Sequence, residues 1–504
     1  MKDRVPTYPG RVKLTPVSGQ ANTYDMVRAD SPTQEGTPLN KDTLLKDTTA
    51  TALGLTGDPT VDEAFAKLAK KSEYKVGDIK LTVNSDPGDE WLLCNGVTVS
   101  AADYPEYCEK FGYDYSINKI ESSLTWSYQV LCATYANGYL VAGGTYKDGA
   151  YSLPRCWYTS DGGTTWAYTT FGSSSVYNGY NTNRVNKIKY INNTWVACVS
   201  SGQAQSVCSI WYSTGTPADT WQESTIRSTT PYVEAGANDI IYRNGKWIAC
   251  LSTYDSGSPS GQIATASSLT SGSGSWSSTI VFGASSLATS IIYTNGYYIV
   301  GGSDSFSPCI AYSTDLSTWT KIHLESGSGN YTYNTVYDLV YANGVCFAAG
   351  QSYDSNGYHA KVWTSQNITS GWASQNLYNF GNSNVGAFSA DYLFGRWLVG
   401  GTYYDGSGVY HASIWMSTSP AGPWTRQDDL WDSGTSGYTS RVLGFSSTDA
   451  EAIAVGAVDL GNSSSSSGTN GRVAYMSINK SSAKIPTASI DGAYAYIKVK
   501  EETT

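Results

Sequence analysis

The chain has 504 residues, enough for several domains, with 32 basic against 42 acidic side chains and a net charge of −10. Charged residues are only 15% of the total, whereas 40 Tyr, 16 Trp and 51 Gly favour twisted sheet and turns over helix. The acidic balance, with no basic stripe, argues against nucleic acid or an anionic membrane as partner, and no apolar run is long enough to span a bilayer.

In chain order, residues 1–80 hold 23 of the 74 charged side chains and differ in kind from the remaining 424 residues. Residues 1–57 are rich in Pro, Thr and Asp without sustained periodicity and are expected to form an extended arm that docks on something else. Within 58–75 a short helix is predicted from about Thr60 to Lys71, with Thr60 as N-cap, Glu63 three residues on, and Ala64, Phe65 and Leu68 as its apolar face. The N-terminus lacks an apolar signal region, which implies synthesis in a reducing cytoplasm without export. The nine Cys have no zinc-like spacing and read as reduced core thiols; Cys198 and Cys208 could face each other across a hairpin, which spacing leaves open.

From 120 to 482 one pattern recurs: an apolar run, a tight turn, then a second apolar run ending in small residues. Copies include LCATYANGYLVAGG at 131, IIYRNGKWIACLST at 240 and LVYANGVCFAAGQS at 339. The turns centre on Asn137, Asn192, Asn244, Asn295, Asn343, Phe394 and Asp449, in steps of 48 to 55 residues. Asn-Gly between β-prone runs predicts a hairpin, because a type I′ turn needs positive φ at both central residues. A third strand and a Trp-led fourth come after most hairpins, with Trp166, Trp221, Trp276, Trp319, Trp372 and Trp424 in place and Trp126 standing ahead of the first hairpin. Four strands per fifty residues predict a seven-bladed β-propeller in which an N-terminal strand completes the last blade; an open β-sandwich is the alternative.

The turn Thr159-Ser160-Asp161-Gly162-Gly163-Thr164-Thr165-Trp166 resembles the Asp-box of sialidase-type propellers, and Ser313 to Trp319 resembles a shortened form. That resemblance implies a structural turn in which Asp161 and Asp315 close hydrogen bonds while Trp166 and Trp319 pack between blades. Val76-Gly77-Asp78-Ile79-Lys80-Leu81, Glu90 to Gly96 and Tyr104-Pro105-Glu106-Tyr107, together with Lys484-Ile485-Pro486 and Ala493 to Lys500, resemble the opening and closing of the phage tail-collar domain. The segment around Gly36-Thr37-Pro38-Leu39-Asn40-Lys41 is similar to N-terminal parts of tail proteins from phages of Gram-positive hosts. The fold expected is therefore mainly β, a seven-bladed propeller at 120–482 inserted into a small collar-like α+β module at 76–119 and 483–504, behind the N-terminal arm. The resemblance implies a virion tail location, a homotrimer, and an arm that attaches to the baseplate.

Propeller topology puts the tight turns on one face and longer Tyr/Ser/Gly/Asn-rich segments on the other, a composition suited to rigid yet adaptable contact. The candidate receptor-binding residues are Tyr146, Asp148, Tyr180, Tyr254, Asp255, Tyr331, Tyr333, Tyr353, Asp354, Tyr358, Tyr403, Tyr404, Asp405 and Tyr410. Asp148, Asp255, Asp354 and Asp405 recur at one position; they either cap Asx-turns or form a ring that could bind sugar hydroxyls or Ca²⁺. No other cofactor and no metal site is expected. Of the three His, His359 and His411 begin third strands in adjacent repeats and are expected to be structural.

No Ser/His/Asp arrangement, nucleotide loop or zinc-protease motif is present, and Leu153-Pro154-Arg155 does not match the arginine string of sialidases. The expectation is therefore not an enzyme but a tail-fibre receptor-binding protein that engages host polysaccharide, teichoic acid or protein. A virion-associated glycan depolymerase and a purely structural tail decoration are the alternatives.

Overall fold

The structure is a computed structural model, which describes residues 5–7, 11–29, 32–34, 47–57, 59–70, 74–83, 85, 88–111, 114–121, 124, 127–148, 151–172, 183–201, 207–228, 235–255, 258–270, 272–273, 275–326, 334–355, 357–380, 385–427, 430–431, 439–448, 451–458, 471–479, 482–488 and 493–500. The chain divides into two compact units, Met1–Asn95 with Thr487–Thr504, and Gly96–Pro486. No helix among the described residues is long and apolar enough to cross a membrane.

The first unit is assembled from both chain ends. Ile79–Thr82 and Trp91–Leu93 flank Tyr494–Lys498 in a three-stranded sheet, so the two segments carrying the collar resemblance pair directly. Lys498 is fully buried and donates from Nζ to the Tyr74 carbonyl at 2.9 Å. Upstream, the arm is more regular than its composition suggested: Val12–Pro16 and Tyr24–Arg28 form an antiparallel hairpin, and helix α1 spans Asp47–Ala52. Helix α2, Val61–Lys70, begins with the expected capping box. Glu63 N donates to Thr60 Oγ1 at 3.1 Å while Thr60 N donates to Glu63 Oε2 at 2.6 Å.

The second unit is built from antiparallel four-stranded meanders. The first comprises Ser127–Ala136, Tyr139–Asp148, Tyr151–Thr159 and Ala167–Thr170. The second begins at Arg184–Ile191, the third at Ala235–Arg243, the fourth at Leu287–Thr294, the fifth at Thr335–Ala342 and the sixth at Gly386–Leu393. Ser440–Ser447, Glu451–Val458 and Gly471–Asn479 make the last, and its fourth strand is Asp114–Glu121 from the other end of the unit. The second and third meanders merge into one nine-stranded sheet through Ser200 and Ser201 pairing with Gly236 and Ala235. The closing strand thus lies upstream of Trp126, not beginning at it, and Trp126 lies outside the described residues.

First strands neighbour one another in chain order, and the last neighbours the first, so the meanders close into a ring. Between each adjacent pair lies one apolar cluster: Val185, Ile188 and Trp195 against Cys156 and Phe171, for example, or Leu398 and Ile414 against Val442 and Phe445. Each sheet is hydrophobic on both faces because each is covered on both sides, which is why the second strands read as unbroken apolar runs. All nine Cys are buried and outside any disulfide, Cys198 and Cys208 among them.

Two local rules generate the repeated pattern. The turn residues Asn137, Asn244, Asn295 and Asn343 have φ between 48° and 52° and each is followed by a Gly at positive φ, as a type I′ turn requires; Asn192-Asn193 and Phe394-Gly395 adopt the same geometry. The Asp449 turn lies outside the described residues. Further up, every first strand carries a β-bulge, with Leu131, Asn186, Asn238, Thr289, Tyr337, Phe388 and Leu443 as the extra residues. The bulge pushes a first-strand carbonyl against the second strand, and a Cβ on Gly302 would stand 1.9 Å from the Leu287 oxygen. The small residues that end each second run are therefore there to let the backbones approach.

In the turns that resemble Asp-boxes, both carboxylates accept local backbone hydrogen bonds. Asp161 Oδ1 accepts from Thr164 N at 2.9 Å and Thr165 N at 3.0 Å, and Asp315 Oδ1 accepts from Ser317 N at 2.8 Å and Thr318 N at 2.9 Å. These bonds hold both carboxyls well below the usual range, the Thr159 hydroxyl leading at Asp161 and the Thr318 amide at Asp315.

Candidate functional site

The first strands enclose a cavity of about 550 Å³ at the centre of the ring, in the half nearer the Asn-Gly turns. Leu131, Ile292, Leu339, Tyr341, Phe388 and Phe445 are among the residues of its wall. Five ionisable side chains stand out: Lys187 and Lys189 from the second meander, Asp239 from the third, Asp338 from the fifth and Asp391 from the sixth.

These groups are linked. Lys187 Nζ is 3.2 Å from Asp338 Oδ1, and Lys189 Nζ is 2.5 Å from Asp239 Oδ1. Asp239 Oδ2 also accepts from Ile291 N at 3.1 Å and Ser290 Oγ at 3.3 Å, and Asp338 Oδ2 accepts from Ala390 N at 3.2 Å. Burial alone would push Asp239 up, but Lys189 and Lys187 override it and hold the carboxyl below its ordinary value. Burial likewise works against a charged Lys187, yet Asp338 and Asp239 keep its ammonium well above the usual range.

Asp391 behaves differently. It is half-buried in the wall, its Oδ1 accepts from Tyr392 N at 2.8 Å, and no cation is paired with it among the described residues. Desolvation pushes its carboxyl up to about 6, the nearby Asp338 charge adding to the effect while Tyr392 N–H and Lys187 oppose it. The cavity thus combines a carboxyl that can carry a proton near neutral pH with salt-bridged carboxylates, a combination suited to proton transfer.

None of these five stands out in the sequence by itself, although the repeat register contains the signal. Lys187, Asp239 and Asp338 each stand five residues before a turn Asn, and Lys189 stands three before Asn192 as Asp391 stands three before Phe394. Aligning the repeats on their turns stacks these charges in two layers.

The residues expected to bind a receptor sit at the opposite ends of the strands. The long loops expected there are mostly strand: Asp148 pairs with Tyr151, Asp255 with Ser258 and Asp354 with Gly357, leaving two residues between them. The sixth meander keeps a true loop, in which Asp405 Oδ1 accepts from Ser407 N at 2.7 Å and Val409 N at 3.3 Å, an Asx-turn. The Ser407 hydroxyl is the chief cause holding that carboxyl down at about 2. Tyrosines form cross-strand pairs, Tyr353 with Tyr358 at 4.6 Å and Tyr404 with Tyr410 at 4.7 Å between ring centroids. Tyr403 packs on Tyr378 at 4.7 Å and carries the Arg426 guanidinium at 3.4 Å, while Tyr146 carries that of Arg155 at 3.3 Å. Tyr254 lies opposite Pro259 in the strand register. Tyr180, Tyr331 and Tyr333 lie outside the described residues.

His359 and His411, expected to be structural, meet two of the repeated Asp. His359 Nε2 is 2.9 Å from Asp354 Oδ1, and His411 Nε2 is 3.4 Å from Asp405 Oδ2.

No protein-family model matches the chain, and no curated protein matches it. Among solved structures it is similar to Trypanosoma rangeli sialidase in complex with sialic acid, at 10% identity and a TM-score of 0.38, over 70% of this chain and 55% of that one. The chain thus spans about half the length of that sialidase. It is also similar to the catalytic domain of Coprinopsis cinerea GH62 alpha-L-arabinofuranosidase, at 15% identity and a TM-score of 0.29, over 48% of this chain and 90% of that one. A thermostable family-43 glycoside hydrolase gives 11% identity and a TM-score of 0.30, over 51% of this chain and 95% of that one. The expectation that the chain is not an enzyme is corrected here, since these neighbours are all glycosidases. Sequence motifs do not reveal the carboxyls at the ring centre because they come from different meanders, up to 152 residues apart between Asp239 and Asp391.

Proposed function

We propose that this chain is a glycan-cleaving tail component: a seven-bladed propeller inserted into a collar-like module, attached through its N-terminal arm to the baseplate of a phage or tail-derived particle, and acting on host surface polysaccharide or teichoic acid. The observation that carries the catalytic part is Asp391, a carboxyl raised to about 6 in a cavity that also holds the salt-bridged Asp338. Asp391 donates its proton to the leaving glycosidic oxygen as the C–O bond breaks. Asp338 faces the positive charge that develops on the sugar, and water completes the hydrolysis and returns a proton to Asp391. The motifs at 76–115 and 483–504 support the particle assignment, and a homotrimer is the assembly they imply.

The paired tyrosines at the far ends of the strands supply the binding component of the same reading. Tyr353 with Tyr358, and Tyr404 alone of its pair, offer aromatic surface on which sugar rings stack, whereas Tyr410 is buried behind Tyr404 and is removed from the candidate binding residues; several copies per particle multiply a weak single site.

The test incubates the full chain with purified Gram-positive wall polysaccharide and teichoic acid and counts new reducing ends. Wild type should release them at a rate that falls as pH rises past about 6, and Asp391→Asn should lower release by about 100-fold or more with glycan binding unchanged. Binding to the same glycans with no reducing ends at any pH would leave a receptor-binding protein instead. No binding and no release would leave a structural tail part.

A further inference from the structure

At the edge of the fourth meander, away from the cavity, three adjacent strands bring together an oxygen, a sulfur and a nitrogen ligand. Asp304 ends the second strand, Cys309 lies in the third and His323 ends the fourth. Cys309 pairs with Gly302 on one side and with His323 on the other. Because Gly302 and Asp304 are two apart on one strand, all three side chains leave the same face of the sheet. One potential ligand atom from each lies within 4.8 Å of the others, and His323 Nε2 is already 3.0 Å from Asp304 Oδ2.

We propose that Asp304, Cys309 and His323 form a site for a borderline-soft divalent cation of the Zn²⁺ class, with solvent as fourth ligand.

Three features support this. In a tetrahedral site with bonds of about 2.0–2.3 Å, ligand atoms lie roughly 3.5 Å apart, so closure needs only small side-chain shifts. The two carboxylate oxygens are divided: Oδ1 takes the Lys321 ammonium at 2.9 Å and the Gly283 amide at 3.4 Å, whereas the partner of Oδ2 is the His323 ring, which can exchange that contact for the metal. Finally, Asp304 and Cys309 are buried while His323 is exposed, which gives an ion an entry path and leaves the open coordination position on the wet side. A thiol and an imidazole select Zn²⁺ or Co²⁺ over Ca²⁺ or Mg²⁺. Binding breaks the Cys309 S–H bond, releases that proton to the buffer and forms the metal–sulfur bond, with no change of oxidation state.

The experiment titrates the reduced full-length protein with Co²⁺, follows the thiolate-to-cobalt charge-transfer absorbance, and then displaces the metal with Zn²⁺. One equivalent should generate the band and Zn²⁺ should remove it. His323→Ala, a change at an exposed ring that leaves the fold intact, should weaken Co²⁺ binding by more than about tenfold, and Cys309→Ser should abolish the band. Absence of the band in wild type overturns the proposal. So does a band that His323→Ala leaves unchanged, since the sulfur would then belong to another donor set.

Discussion

Lys187 Nζ lies 3.2 Å from Asp338 Oδ1, although the two residues stand on the first strands of the second and fifth meanders, which are not neighbours in the ring. The ion pair therefore spans the central cavity. Adjacent sheets are joined by apolar clusters, whereas this contact joins opposite walls by charge. Lys189 adds a second pair to the adjacent Asp239, so two lysines serve three carboxyls and Asp391 is left as the surplus anion. Burial is the main cause of its raised pKa, and the charge of the nearby Asp338 adds to it.

Removing the cross-ring lysine should be costly. Lys187→Met leaves Asp338, whose side chain is only 10% exposed, without its cation. Loss of one partner of a fully buried pair costs about 3–5 kcal/mol, and water reaching Lys187 reduces this to about 2–3 kcal/mol. Urea denaturation of the full chain measures it. Lys187→Met with Asp338→Leu should recover much of the loss, because it removes the stranded charge together with its partner; equal midpoints for all three proteins would show that the pair contributes nothing.

Asp391 sets a pH dependence of opposite sign to that of Asp161, Asp315 and Asp405. Its carboxyl has a higher proton affinity folded than unfolded, about 6 against an ordinary value of 3.8. The stabilisation it contributes is thus full below about pH 4, is lost as pH rises from there through 6, and stays absent above. Asp391→Asn should accordingly be more stable than wild type at about pH 8, by on the order of 1–2 kcal/mol after solvent screening, and no more stable at about pH 4. The three turn carboxyls, held low, contribute above their ordinary value and lose that contribution in more acidic solution. Chemical denaturation at the two pH values separates the terms, and an Asp391→Asn gain that is the same at both would show that Asp391 does not titrate between them.

Much of the second unit is legible in the sequence because its rules are local. A turn with positive φ at two successive residues demands Asn-Gly or its like, and an apolar run buried on both faces shows no alternation, so the repeat can be counted residue by residue. The closing strand is harder to place, and Trp126 misleads, because Asp114–Glu121 lacks the apolar signature of the others and pairs with Gly471–Asn479, a strand from the opposite end of the unit's sequence. The expectation of long loops rests on Tyr, Ser and Gly, which strands also accept when their neighbours are aromatic. The cavity charges are hidden for a different reason: Lys187 and Asp338 mean nothing alone, and only ring closure brings them together.

The bulge geometry makes a sharp contrast between two glycines. A Cβ on Gly302 would meet the Leu287 oxygen at 1.9 Å and its carbonyl carbon at 2.9 Å, both backbone atoms that cannot step aside. Gly302→Ala should therefore lose about 3 kcal/mol or more, as overpacking against backbone does. Gly283, with nothing within 4 Å of an added Cβ, should accept Ala with little change. Thermal melts of the two variants give the comparison, and similar losses in both would mean that the bulges do not require glycine.

The second meander offers a stabilising change. Its turn is Asn192-Asn193, with φ of 51° and 56°, where the first, third, fourth and fifth meanders place Gly at the second position. Both Asn residues are exposed, so a side chain removed at 193 takes no packing with it. Asn tolerates the left-handed region better than most residues, but Gly does so without steric penalty. Asn193→Gly should raise stability by about 0.5 kcal/mol, the small gain reflecting the extra freedom Gly gives the unfolded chain. The same substitution at Asn192 should give less, because the first turn position is filled by Asn in the sister repeats and Asn244, Asn295 and Asn343 each use that side chain to donate to a tyrosine hydroxyl of the next meander, at 3.4, 2.9 and 2.6 Å. Denaturation midpoints for the two variants test the ordering, and a larger gain at 192 than at 193 would reverse the assignment of roles within the turn.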